Sequence, residues 1–216
     1  MSAPLVLKLV RHGESLANVS AFDPQKHGDY RTPLTDRGQE QARAAGAAIG
    51  HDFIQGALVY TSPYVRARQT LDGILSAADA RAEALGVFED PRLREVDHGY
   101  HDVKEQEPLR ETHGWFYYRY KGGESPADCY DRVSGFLETL MRQVDRRSAS
   151  RVLIVTHGLA LRCFVMRFLH LTVEEFERMK NPDNGAVVTL APRGVLPAYA
   201  YAEGGWEVDG LSFYAG

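Results

Sequence analysis

The sequence predicts an α/β fold in which a mainly parallel central sheet carries helices on both faces. Short runs rich in branched and apolar residues recur at 5–10, 57–60 and 152–156. The first and third are continuous apolar runs rather than alternations, which suits strands buried on both faces. Segments with helical patterning separate the runs, the βαβ arrangement of a parallel sheet.

The elements follow in order. In 5–10, Lys8 interrupts the apolar run and Arg11 and His12 close it. The run is too short for a membrane span and lacks the flanks of a leader peptide, so it reads as a strand. Residues 36–49, rich in Ala and Gln, form a helix capped by Thr35 or Asp36. Pro63 opens the next helix, to about Ala78, with proline in the first turn where its missing N–H does little harm. Residues 99–123 match neither period and are crowded with Trp115, Phe116, Tyr117, Tyr118 and Tyr120. They read as a lid or insertion, the aromatics forming a hydrophobic cover, a packing face or a homodimer contact. Pro126 opens a helix to about Arg147, capped by Ser125, with Val133, Phe136, Leu137, Leu140, Met141 and Val144 on one face. A strongly apolar helix follows at 159–169 and a short one at 173–179, and two edge strands at 187–190 and 198–202 complete the list.

At 216 residues the chain fits one domain, 1–216. Its composition, 44% hydrophobic and 25% charged with both signs mixed, is that of an ordinary soluble globular protein. A formal net charge of −4 argues against nucleic acid as a partner, yet a local arginine cluster can still hold a small anion. No segment is long and apolar enough for a membrane. Cys129 and Cys163 make neither a disulfide framework nor a zinc motif, which points to a reducing, cytoplasmic setting.

The chemistry-bearing residues sit at strand ends. Arg11-His12-Gly13-Glu14-Ser15 follows the first strand and Thr156-His157-Gly158 follows the third. Ligands collect beyond the carboxyl ends of parallel strands, and glycine lets the backbone turn tightly there. If the two strands are neighbours, His12 and His157 converge. Thr61-Ser62-Pro63-Tyr64-Val65-Arg66-Ala67-Arg68-Gln69-Thr70 places arginines at a helix start, and Leu93-Arg94-Glu95 offers a carboxylate. Two histidines, arginines and a carboxylate suit phosphoryl transfer. Guanidinium forks orient phosphoryl oxygens, a neutral imidazole attacks phosphorus, and a carboxylic acid protonates the leaving oxygen.

Arg11-His12-Gly13-Glu14, with Asn18 beyond, resembles the signature of the histidine phosphatase superfamily, the phosphoglycerate mutase-like proteins. Pro33-Leu34-Thr35-Asp36-Arg37-Gly38, Ser62-Pro63 with Arg66 to Thr70, Leu93-Arg94-Glu95, Gly123-Glu124-Ser125 and Thr156-His157-Gly158 resemble its later elements, in order, over residues 5 to 190. The resemblance implies a three-layer α/β/α sandwich and a metal-free, cofactor-free phosphatase. In it His12 would be the nucleophile. Arg11, Asn18, Arg66, His157 and Gly158 would contact the phosphoryl group, with His157 able to act as a charged donor. Glu95 would be acid and then base. The chain departs from several members at 99–103, where they carry a Glu-Gly pair, and at 21–31.

The bland readings compete unevenly. Residues two apart point to different helix faces, so Arg66 enters the site and Arg68 turns away. Glu95 lies among Glu89, Asp90 and Asp97, as a solvated acidic loop also would. His98 and His101 have a metal-like spacing but lack further ligands, and Lys121 reads as solvent-facing. Three functions remain: a phosphatase on a small phosphorylated molecule or phosphoprotein, a phosphoglycerate mutase, or a phosphate-binding module without catalysis. Hydrolysis leads, because the stretch between Glu95 and Ser125 is short for an enclosure that must keep water from a phosphohistidine.

Overall fold

The computed structural model describes residues 3–99 and 103–214. Seven strands form one sheet: β1 (Val6–Arg11), β2 (Leu58–Thr61), β3 (Phe88–Glu89), β4 (Arg151–Thr156), β5 (Val187–Pro192), β6 (Tyr201–Glu203) and β7 (Trp206–Asp209). Their order is β3-β2-β4-β1-β5-β7-β6. β3, β2, β4 and β1 pair in parallel, while β5, β7 and β6 continue the sheet antiparallel.

The helices are α1 (Pro24–His27), α2 (Asp36–Ile49), α3 (His51–Gln55), α4 (Val65–Ala77), α5 (Ala82–Leu85), α6 (Glu107–His113), α7 (Pro126–Arg147), α8 (Gly158–Leu169) and α9 (Val173–Arg178). Alternation along the strands separates two cores. Leu7, Leu9, Val152 and Ile154 face Phe136, Leu140, Leu161 and Phe164 of α7 and α8. Val10, Val59, Leu153 and Val155 face Ala45, Ile49, Ala67, Leu71 and Ile74 of α2 and α4. The result is the expected three-layer α/β/α sandwich with a mainly parallel inner sheet.

Several boundaries differ from expectation. Thr35, not Asp36, caps α2, its hydroxyl accepting from Gly38 N. Pro63 precedes α4 rather than opening it, since Tyr64 is the cap and Val65 the first helical residue. β5 is interior, between β1 and β7, and the edge strand lies at Tyr201–Glu203 rather than 198–202. β3 and β7 were not anticipated. β7 follows a tight turn in which Gly204 and Gly205 have φ of 56° and 90°, a conformation that glycine adopts without strain. Within 99–123, Glu107–His113 is helical, and the aromatics form a packing face. Phe116, Tyr118 and Tyr120 are buried in the core and Trp115 stacks on Phe176, leaving Tyr117 exposed. Tyr100, His101 and Asp102 lie outside the described residues, and with them half of the His98–His101 pair.

The first histidine turn is fixed by backbone against backbone. A Cβ on Gly13 would lie 2.3 Å from the Gly38 carbonyl oxygen, and one on Gly38 would lie 2.0 Å from the Glu14 oxygen. Alanine is ordinarily the better helix former, so Gly38→Ala in an open helix would stabilise. Here it should destabilise by about 1–3 kcal/mol, seen as a lower urea midpoint at unchanged slope. An unchanged or raised midpoint would contradict this packing.

Candidate active site

β1 and β4 are neighbours, with Arg11 opposite Thr156, so His12 and His157 leave the sheet side by side. His12 N donates to Thr156 O at 2.9 Å, extending the ladder past the strand end. The two rings meet edge-on with centroids 5.1 Å apart, and both are buried.

His12 is held as one tautomer. Its Nδ1 lies 2.7 Å from the Gly13 carbonyl oxygen, which can only accept, so Nδ1 carries the proton. Arg66 Nε donates to Nε2 at 3.3 Å, and Nε2 therefore presents its lone pair. Burial, then the positive charges of Arg66 and Arg11, push the imidazole down to about 3, against the opposing pull of the Gly13 bond. This has a consequence for stability. Between about pH 6.5 and the lowered folded value, the unfolded chain binds a proton at His12 that the folded chain does not. Stability should therefore fall on acidification, by about 2 kcal/mol between pH 6.5 and 5 from this group alone. Denaturant midpoints of the wild type and His12→Gln across this range check it, and equal pH slopes would show that His12 titrates normally.

His157 caps α8 and is fully buried, with Nε2 2.8 Å from Ser62 Oγ. That hydroxyl oxygen also accepts from Tyr64 N at 3.3 Å. Among the described residues Nδ1 has no hydrogen-bond partner. Burial, then the charge of Arg66, holds His157 well below the ordinary imidazole value. The shift favours the neutral imidazole in the free protein.

The helix α4 motif divides as expected. Arg66 is buried against His12, whereas Arg68 faces outward beside Glu89, 3.7 Å away. Thr70 Oγ1 accepts from Gly13 N and donates to the Arg66 carbonyl oxygen, and Gln69 takes the Leu34 N–H. Arg11 donates from Nη1 to Pro182 O at 2.6 Å, and its buried Nε has no hydrogen-bond partner among the described residues. A Cβ on Gly158 would sit 3.2 Å from Asn181 Oδ1 and 3.4 Å from Arg11 Nε, so glycine leaves this corner open. Asn18 spends its carbonyl oxygen on Ser15 N and Ser15 Oγ, which reserves its amide N–H groups for other partners.

Glu95 reaches the same corner from another direction. Its carboxylate accepts from Val96 N, and from Leu159 N and Ala160 N in the first turn of α8, at 3.0, 3.3 and 3.2 Å. Behind it, Arg132 of α7 donates to the carbonyl oxygens of Arg92, Arg94 and Glu95 and to both oxygens of Glu124. Glu124 also pairs with Arg94.

These groups supply an unprotonated imidazole nitrogen, two guanidinium groups, a neutral imidazole N–H and a carboxylate. The model of the histidine phosphatase superfamily (branch 1) matches residues 7–202. The chain belongs to that superfamily. Among its relatives, phosphoglycerate mutase-like protein AT74H of Arabidopsis thaliana is 39% identical over 204 residues, covering 84% of this chain and 72% of that protein. Broad-range acid phosphatase DET1 of Saccharomyces cerevisiae is 28% identical over 311 aligned positions, covering 93% and 92%. The mycobacterial glucosyl-3-phosphoglycerate phosphatase Rv2419c, complexed with VO3, shares the fold with a TM-score of 0.70 at 23% identity, covering 88% of this chain and 92% of that one. The expected class, a phosphoric monoester hydrolase, agrees with the acid phosphatase among these relatives.

This superfamily member also has site residues that sequence reasoning left out. Ser62 and Tyr64 surround His157, the Tyr64 ring edge-on at 5.2 Å. Asn184 donates to His12 O and to Asn18 Oδ1, and Gly185 N donates to Arg11 O. Asn181-Pro182-Asp183-Asn184-Gly185, a cluster of turn-forming residues just before β5, was the available signal. Asp29 grips Arg66. Among the described residues no helix is long and apolar enough to cross a membrane.

Proposed function

We propose that this chain hydrolyses small phosphate monoesters through a phosphohistidine on His12, without a metal or other cofactor. The observation that carries the reading is the tautomer. Gly13 O takes the Nδ1 proton and an arginine N–H faces Nε2, so the lone pair is available without prior deprotonation.

In the first step Nε2 bonds to phosphorus and the bond from phosphorus to the leaving oxygen breaks. The departing oxygen keeps the electron pair and takes a proton from Glu95. In the second step water attacks phosphorus and gives its proton to Glu95, and the P–N bond breaks to restore the Nε2 lone pair. Arg11 and Arg66 neutralise the phosphoryl oxygens, and His157 and Asn18 add further N–H donors. Arg11 Nε and His157 Nδ1, both buried and without a partner among the described residues, suit this anion, because buried polar groups ordinarily find partners.

A phosphoglycerate mutase would pass the phosphoryl group to a second hydroxyl instead. The short 99–123 insertion, whose aromatics are mostly committed to the core, favours hydrolysis. Phosphate release from phenyl phosphate and from 3-phosphoglycerate, with a chelator present throughout, tests the reading. Release from phenyl phosphate that survives chelation is expected. Interconversion of phosphoglycerates without net phosphate release would decide for the mutase, and dependence on an added metal would overturn the metal-free mechanism.

A further inference from the structure

Arg66 must present one particular edge to the phosphoryl group, and its side chain alone does not fix which. Arginine turns about several bonds, and a guanidinium offers donors along more than one edge. In this chain the outer end of Arg66 is taken. Nη1 donates to Asp29 O at 2.8 Å and Asp29 Oδ1 at 2.9 Å, and Nη2 donates to Asp29 Oδ2 at 2.9 Å. Nε points at His12 Nε2. The remaining Nη2 N–H lies on the edge shared with Nε, the edge that faces the nucleophile.

Asp29 comes from the loop segment ahead of α2. It opens a 3-10 turn, Asp29–Arg31, behind Gly28, whose φ of 84° suits glycine. Tyr64 closes the other side, with the Arg66 guanidinium carbon 5.0 Å from its ring centroid. Arg66 is buried while Asp29 is 41% exposed along its side chain.

We infer that Asp29 is a positioning residue: its two-point grip on Arg66 turns the Nε–Nη2 edge toward His12 and so builds the phosphoryl-binding site. The inference rests on the proposed reading of His12 and Arg66. A carboxylate here could instead act as a plug that an incoming phosphate must displace, and the two roles predict opposite signs. Solvent screens the repulsion between a half-exposed carboxylate and the substrate, whereas disorder in a buried arginine weakens its contacts with the phosphoryl oxygens directly.

Titration calorimetry with orthovanadate, a phosphate analogue whose binding needs no turnover, separates the roles. Asp29→Ala should weaken vanadate about tenfold and lower kcat on phenyl phosphate at least as much, with the folded protein's circular dichroism unchanged. Arg66→Ala should weaken vanadate further, and adding Asp29→Ala to it should cost nothing more, because Asp29 acts through Arg66. Equal or tighter vanadate binding in Asp29→Ala would overturn the inference in favour of the plug. Additive losses in the double variant would overturn it in favour of an independent role. If Arg66→Ala alone leaves vanadate binding intact, the underlying phosphoryl site is wrong. Asp29→Asn, which retains one acceptor oxygen, should fall between wild type and alanine, and it serves if the alanine variant does not fold.

Discussion

His12→Ala should abolish turnover, with a loss of about 10⁴-fold or more in kcat, because the proposed covalent step runs through its Nε2. The size of the loss depends on chemistry rather than on binding. Arg11, Arg66 and His157 remain to hold an anion, so vanadate affinity should change far less than kcat. That contrast separates loss of the nucleophile from loss of the site. The second arm is direct: wild type mixed with phenyl phosphate and quenched in alkali should carry a phosphoryl group on His12 by mass spectrometry, and the variant should carry none. Retained turnover in His12→Ala, or label on His157 instead, would sink the assignment.

The parts of the site legible in the sequence are those in which one short segment holds both the chemical group and the reason for its place. Arg11-His12-Gly13 and Thr156-His157-Gly158 combine strand, functional side chain and glycine turn, and parallel pairing of β1 with β4 brings them together. The helical period likewise separates Arg66 from Arg68. What was not legible depends on contacts between segments remote in sequence. Asn184 reaches His12 across 172 positions and Arg132 reaches Glu95 across 37, and no local pattern announces either. Asp29 is hidden for the same reason, since an exposed-looking acid in a loop is unremarkable until its partner is known. In the fold, the central strands announce themselves by continuous apolar runs, while β3 has only two residues, both exposed, and β7 alternates over four. The burial of His157 was not legible either, because it depends on the whole fold: its ring is enclosed by Ser62, Tyr64 and His12, which come from two other segments.

Glu95→Gln carries the second large expectation, and it must separate two roles that coexist in one side chain. The carboxylate satisfies N–H groups at the start of α8, which is a structural task, and it is also the acid assigned to the leaving group in the proposed mechanism. Glutamine keeps a carbonyl oxygen for capping and cannot deliver a proton. Stability should therefore shift by about 1 kcal/mol or less, the scale of a partly retained cap. Hydrolysis of phenyl phosphate should fall by about 10²–10⁴-fold, the range of a lost general acid. A leaving group that needs no proton reveals the difference: with 2,4-dinitrophenyl phosphate the first step should lose little, and a burst of dinitrophenol should precede slow turnover, because the variant also lacks the base for water. Equal losses for both substrates, with no burst, would leave Glu95 as the cap of α8 and move the proton donor elsewhere. The carboxylate's position favours the first outcome, since Arg132 holds the backbone of 92–95 by three carbonyl oxygens and fixes Glu95 before any substrate arrives.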